Sequence, residues 1–200
     1  AATETPSKQT ATGRKGRQKD AEAAESAGNA KPAERSWRQP DFLSRQASGK
    51  TYGSAMHAAL QYIRYEDCGS PEAVSREMQR LVQGKFLTEE QGSLVRCDQL
   101  AWFFQSDIGK KLRSGTRYLR EFKFSILDAG RHYGEGLEDE QVLLQGVVDC
   151  ALLEEDGITI LDFKTDRVTE ETVAAAADRY RLQVETYADA LTRIYEMPVK

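Results

Sequence analysis

Apolar residues are scarce from residue 1 to 36, recur at helical spacing from 53 to 113, gather into short strand-like runs from 117 to 165, and return to helical spacing beyond Thr169. In "GSAMHAALQYIRYE" the positions Met56, Ala59, Leu60 and Ile63 share one helix face. "SPEAVSREMQRLVQG" predicts a second helix, with Ser70 as N-cap, Pro71 at its first position and Gly84 as its stop. "LTEEQGSLVRCDQLAWFF" reads as a further helical stretch: Thr88 and Gln91 stand at capping-box spacing, and Leu94, Leu100, Phe103 and Phe104 supply apolar surface. A short helix over 106–113 completes this layer.

Strands are predicted over 117–127, 141–155 and 157–165, with Asp156-Gly157 closing a tight hairpin between the last two. The closing helix carries Val173, Ala176, Ala177, Tyr180, Val184, Tyr187 and Leu191 at near-helical intervals. Helices, then a meander of strands, then a helix imply an α/β or α+β sandwich. Residues 1–36 cannot bury enough apolar surface to offset ordering entropy, so they read as a disordered linker or tail, leaving 37–200 as the folded domain.

The hairpin changes the picture, because it gathers charge. A two-residue turn at Asp156-Gly157 pairs Ala151 with Asp162 and Asp149 with Lys164; moving the turn one residue toward the N-terminus sets Asp149 opposite Asp162. Either register keeps Asp149, Asp162 and Lys164 on one sheet face, and only a three-residue loop separates them. Two carboxylates so close repel unless a cation lies between them, and a hard divalent ion such as Mg²⁺ resolves the conflict. Read in isolation, an ion pair of Asp162 with Lys164 at the sheet edge, with Asp149 an unrelated neighbour, accounts for "ILDFKT" better than a cation site does.

Composition narrows the alternatives. A formal net charge of -4 and a pI near 5.4 argue against capture of nucleic acid by bulk electrostatics. Cys68, Cys97 and Cys150 are scattered, so neither a zinc knuckle, a disulfide framework nor an iron–sulfur cluster is expected, and a reducing, cytoplasmic compartment is. No signal pattern and no membrane-length apolar run occurs, so no membrane association is expected.

In order along the chain, "GSAMH" with His57, "REFKF" with Glu121, "QGVVD" with Asp149, "ILDFKT" with Asp162 and Lys164, and the Q-x-x-x-Y of Gln183 and Tyr187 resemble the RecB-like branch of the PD-(D/E)xK nucleases, over roughly residues 40–197. The resemblance implies a restriction-endonuclease-like core: a central mixed sheet flanked by helices, with a helical N-terminal part. It implies that His57, Asp149, Asp162 and the backbone carbonyl of Phe163 ligate Mg²⁺, with Mn²⁺ able to substitute. Lys164 becomes the catalytic lysine, Glu121 a support from the neighbouring strand, and Gln183 and Tyr187 positioners of the lysine or of DNA. Within the branch, the wording is most similar to the nuclease domains that close bacterial two-subunit helicase–nucleases, which resect double-strand breaks for recombinational repair. That likeness implies a DNA exonuclease using metal-activated water, a motor that delivers single strands, and a partner subunit. No G-x-x-x-x-G-K-[ST] loop is present, so no ATP site is expected in these residues. The chain stops at "MPVK" where such relatives continue into further strand, so an incomplete sheet and a tethering tail are expected. Two other readings use the same residues: a non-catalytic DNA-binding or docking module of the same fold, and a stand-alone RecB-like exonuclease.

Overall fold

A computed structural model describes residues 8–10, 49–133 and 135–200. Helix α1 (Gly49–Tyr62) leads through a short 3₁₀ turn to α2 (Pro71–Gln83), α3 (Glu89–Leu94), α4 (Cys97–Gln105) and α5 (Asp107–Arg113). Strands β2 (Tyr118–Ala129), β3 (Gln141–Glu154) and β4 (Gly157–Leu161) follow, then the long helix α6 (Val173–Tyr195). Strand β1 (Lys8–Thr10) lies within the stretch expected as a linker and pairs in parallel with Leu143–Gln145; the rest of 1–36 falls outside the described residues. The sheet order is β1-β3-β2, with β4 antiparallel on β3, so the sheet is mixed as expected.

Local signals account for several helix N-termini. Ser70 Oγ accepts from the Ala73 N–H at 3.2 Å with Pro71 in the first turn, and Thr88 and Gln91 form the reciprocal capping box. One expectation needs correction. The stretch read as one helix across 88–104 is two, because Val95 and Arg96 are extended and Arg96 serves as N-cap of α4. Gly84 ends α2 as expected, with φ of -77°, and Lys85 after it takes the left-handed conformation at φ 59°.

The described residues fall into two compact units whose segments interleave along the chain. The first holds the described part of Phe42–Phe122 together with Val148–Arg167 and Met197–Lys200. Its core joins Ala55 and Ala59 of α1, and Ile63 just after it, to Val74 and Leu81 of α2, Phe104 of α4, and Cys150 and Leu152 of β3. Each large side chain so buried contributes about 1.5–3 kcal/mol. Tyr65 lies among them, its ring 5.2 Å from that of Phe104 and 4.9 Å from that of Tyr118, its hydroxyl donating to the Leu60 carbonyl.

The second unit holds the described part of Lys123–Val147, Val168–Glu196 and β1. Helix α6 buries Ala176, Gln183, Tyr187, Ala190 and Leu191 there, along with Phe124, Val142 and Leu144. Val173, expected on the apolar face, is exposed. Buried Asp128 accepts hydrogen bonds from the Tyr133 hydroxyl and the Ala129 N–H and meets His132 Nδ1. Burial pushes its carboxyl up, but these partners outweigh burial and hold it below the ordinary range.

Candidate metal centre and active site

The hairpin register decides where the carboxylates go. Glu154 pairs with Gly157, Leu153 with Ile158 and Cys150 with Leu161, so the turn is Glu155-Asp156, one residue earlier than the first register expected from the sequence. This is the alternative that sets Asp149 across from Asp162. Gly157 is the first paired residue of β4, and glycine is required there because its φ is 150° and an added Cβ would lie 2.8 Å from the Pro198 carbonyl oxygen. Pairing stops at Leu161, so residues 162–165, expected as strand, leave the ladder instead.

That departure shapes the site. The Phe163 N–H, freed from the ladder, donates to Asp149 Oδ2 at 2.8 Å, and Asp162 and Lys164 form an ion pair. Thr165 then runs close to α1, where an added Cβ on Gly53 would sit 3.0 Å from Thr165 Oγ1. The glycine one turn before His57 therefore admits this segment against the helix.

Arg120 ties α1 to β2. Its guanidinium lies 3.6 Å over the Tyr65 ring and donates to the carbonyls of Gln61 at 2.9 Å and Ile63 at 2.6 Å, satisfying the open end of α1. The next residue, Glu121, has φ of 46°, a left-handed conformation that a non-glycine residue adopts at a cost of about 1–2 kcal/mol.

Three donors converge as a result. Ligand atoms of His57 on α1, Glu121 on β2 and Asp149 on β3 all lie within 4.8 Å of one another. Two oxygens each about 2.1 Å from one Mg²⁺ are at most about 4.2 Å apart, so shifts below about 1 Å close this set around an ion. The chemistry fits as well: one imidazole and two carboxylates are hard or borderline donors, and Asp149 is poorly solvated. Its side chain is 15% exposed, with His57 Nδ1 3.6 Å away. Burial raises the Asp149 carboxyl above the ordinary aspartate range, and Asp162 adds to the rise; His57, the Phe163 N–H and Lys164 oppose it without cancelling it.

The expected residues fall as follows. His57, Glu121 and Asp149 form the donor cluster, and Asp162 and Lys164 are paired together at the end of the hairpin. Phe163 contacts the cluster through its N–H. Gln183 and Tyr187 are buried on α6 in the second unit, where Gln183 Nε2 donates to the Tyr187 hydroxyl at 2.6 Å and the Tyr187 ring meets Phe124 edge-on. Arg120 was not legible as a site-building residue, and Glu121 was legible only as a support.

Comparison with known proteins covers most of the chain. The family model of the PD-(D/E)XK nuclease superfamily matches residues 30–200. The chain is 33% identical over 170 residues to the A subunit of the ATP-dependent helicase/nuclease of Clostridium novyi (strain NT), covering 82% of this chain. It is 34% identical over 175 residues to the same protein of Bacillus mycoides (strain KBAB4), covering 81%, and 34% over 176 residues to that of Bacillus licheniformis, covering 82%. The chain spans only 14% of the length of these curated relatives. Because that family model matches residues 30–200, well over half of the sequence, the chain belongs to the PD-(D/E)XK nuclease superfamily.

Proposed function

We propose that the chain is the DNA-cleaving domain of an AddA-type helicase–nuclease, acting as a Mg²⁺-dependent exonuclease in double-strand break resection. The observation that carries this reading is the convergence of His57, Glu121 and Asp149 on a set of donors suited to a hard cation. The name its relatives share, that of an ATP-dependent helicase/nuclease, supports the wider assignment.

His57, Asp149, Asp162 and the Phe163 carbonyl, with Glu121 from the neighbouring strand, are the groups that would hold Mg²⁺ or, in its place, Mn²⁺. When bound, such a cation supplies Lewis acidity toward the scissile phosphate and the attacking water. Lys164 supplies a second positive charge: its ammonium, steered by Asp162, stabilises negative charge that builds on the phosphate during in-line attack. The Phe163 N–H fixes Asp149 in orientation, so that its carboxylate does not have to reorganise during the reaction. Gln183 and Tyr187 would position the lysine or the DNA backbone.

A net charge of -4 favours delivery over capture, so the strand comes from a helicase motor working with an AddB-type partner in the cytoplasm. Among the described residues no helix is long and apolar enough to cross a membrane.

The test is digestion of single-stranded DNA by the purified protein with Mg²⁺ or Mn²⁺. Cleavage is expected, and Asp162→Ala and Lys164→Ala should each abolish it. Unchanged cleavage in both variants would overturn the site assignment. For the wider assignment, ATP-dependent resection should require an AddB-type partner that co-purifies with the full-length protein.

A further inference from the structure

We infer that the groove beside His57 is a stacking subsite for one nucleobase of a single strand, with Trp102 as its outer wall; the inference rests on the nuclease reading above. The groove encloses about 260 Å³, and Met56, Leu60, Leu100 and Phe103 give it apolar walls. Its other residues include His57 and Lys164, which also belong to the candidate active site. A ligand in the groove is thus continuous with whatever occupies that site.

Trp102 is the most exposed large hydrophobic residue among the described ones, at 76%, although its neighbour Ala101 on α4 is buried. The rings behind it form a series: Phe103 meets Phe163 edge-on at 5.7 Å, and Phe163 meets His57 at 6.5 Å. This aromatic wall leads from the groove to the donor cluster.

A nucleobase matches these features better than an apolar peptide does. It is flat and stacks on aromatic faces whatever its identity, which suits a nuclease that must accept any sequence. The phosphate attached to it carries the negative charge that Lys164 at the groove's end would attract. Gln99 and Thr165 add hydrogen-bonding groups for the edge of the base. Bases in a duplex are already stacked and paired, so the groove would make this chain itself selective for single strands, in addition to any delivery by a motor.

The sequence contains two tryptophans, so Trp37→Phe leaves Trp102 as the sole tryptophan reporter. In EDTA, which prevents cleavage, that protein is titrated with oligothymidylate, with the same strand carrying abasic sites, and with a blunt duplex. Oligothymidylate should quench Trp102 emission, and the other two should not. In single-strand cleavage with Mn²⁺, Trp102→Ala should raise KM by about 5- to 100-fold with kcat little changed, and Trp102→Phe should recover much of the loss. Equal quenching by all three ligands, no quenching, emission that follows protein concentration instead of DNA, or an unaltered KM would each overturn the inference. Failure of the nuclease reading looks different: cleavage would persist in Asp162→Ala and Lys164→Ala, while the titration, which needs no cleavage, would still report on stacking.

Discussion

With only 15% of its side chain exposed, Asp149 gives up more hydration than His57 and the Phe163 N–H return, which is why its carboxyl is shifted upward. A carboxylate left in that state is a local cost to folding that a bound cation would remove. Asp149→Asn keeps an oxygen to accept from Phe163 and drops the charge. It should therefore raise the Tm of the protein in EDTA while lowering DNA cleavage about a hundredfold or more, checked by thermal denaturation alongside a nuclease assay. A lower Tm would mean that the ionised carboxylate is net stabilising. Residue identities of this kind were readable from the sequence because an aspartate amid apolar neighbours, followed by D-x-K, is chemically conspicuous. Glu121 was harder to read: its place among the donors accompanies a backbone conformation at φ 46°, and nothing in "REFKF" announces a left-handed residue.

Among the elements, the hairpin was legible in kind but not in position. Both registers considered from the sequence put Asp149, Asp162 and Lys164 on one face, since a shift of one turn residue moves the pairing by two. The choice between them was not legible because nothing local marks Gly157 as a strand residue, and its close approach to the Pro198 carbonyl, a contact from 41 residues away in sequence, shows in no local pattern. The break at Val95 and Arg96 escaped for a similar reason, because helical spacing continues through it. The C-terminal end of α1 rests on Arg120, which bonds the carbonyls of Gln61 and Ile63 and covers Tyr65. Arg120→Ala should lower unfolding stability by about 2–4 kcal/mol in a urea titration, by leaving buried carbonyls without their donor and Tyr65 uncovered. Arg120→Lys should recover little of it, since an ammonium cannot stack on the ring and span two carbonyls together. Metal affinity should fall in both variants because Glu121 is the next residue along β2.

Over the whole molecule, stability is tied to protons held in the interior. Burial pushes the Cys68 thiol up to about 12 and the Cys150 thiol up to about 11, against an ordinary value near 9. Burial also raises Tyr65. In the unfolded chain these thiols ionise first, so above pH 9 the unfolded state holds fewer protons than the folded one. Their contribution is fully present below pH 9 and is lost as the pH rises through 11 and 12. Urea midpoints should accordingly fall from pH 9 upward, and Cys150→Ala should flatten that fall; a midpoint independent of pH from 8 to about 10.5 would contradict it.

The interleaving of the two units carries a different consequence. Met197–Lys200 follow α6, yet they belong with the unit that bears His57, Glu121 and Asp149, where the Ile158 N–H donates to the Pro198 carbonyl at 2.8 Å and the Lys200 N–H donates to that of Ile158 at 3.0 Å. A variant ending at Glu196 should therefore lose protection from amide exchange along β4, measured by hydrogen–deuterium exchange. On the ribosome, the unit that bears His57, Glu121 and Asp149 would have to wait for Met197–Lys200 to emerge before its backbone pairing is complete. A single cut between the strands and α6 could not release it intact, so dissecting this chain into contiguous fragments would dismantle the very unit one hoped to isolate.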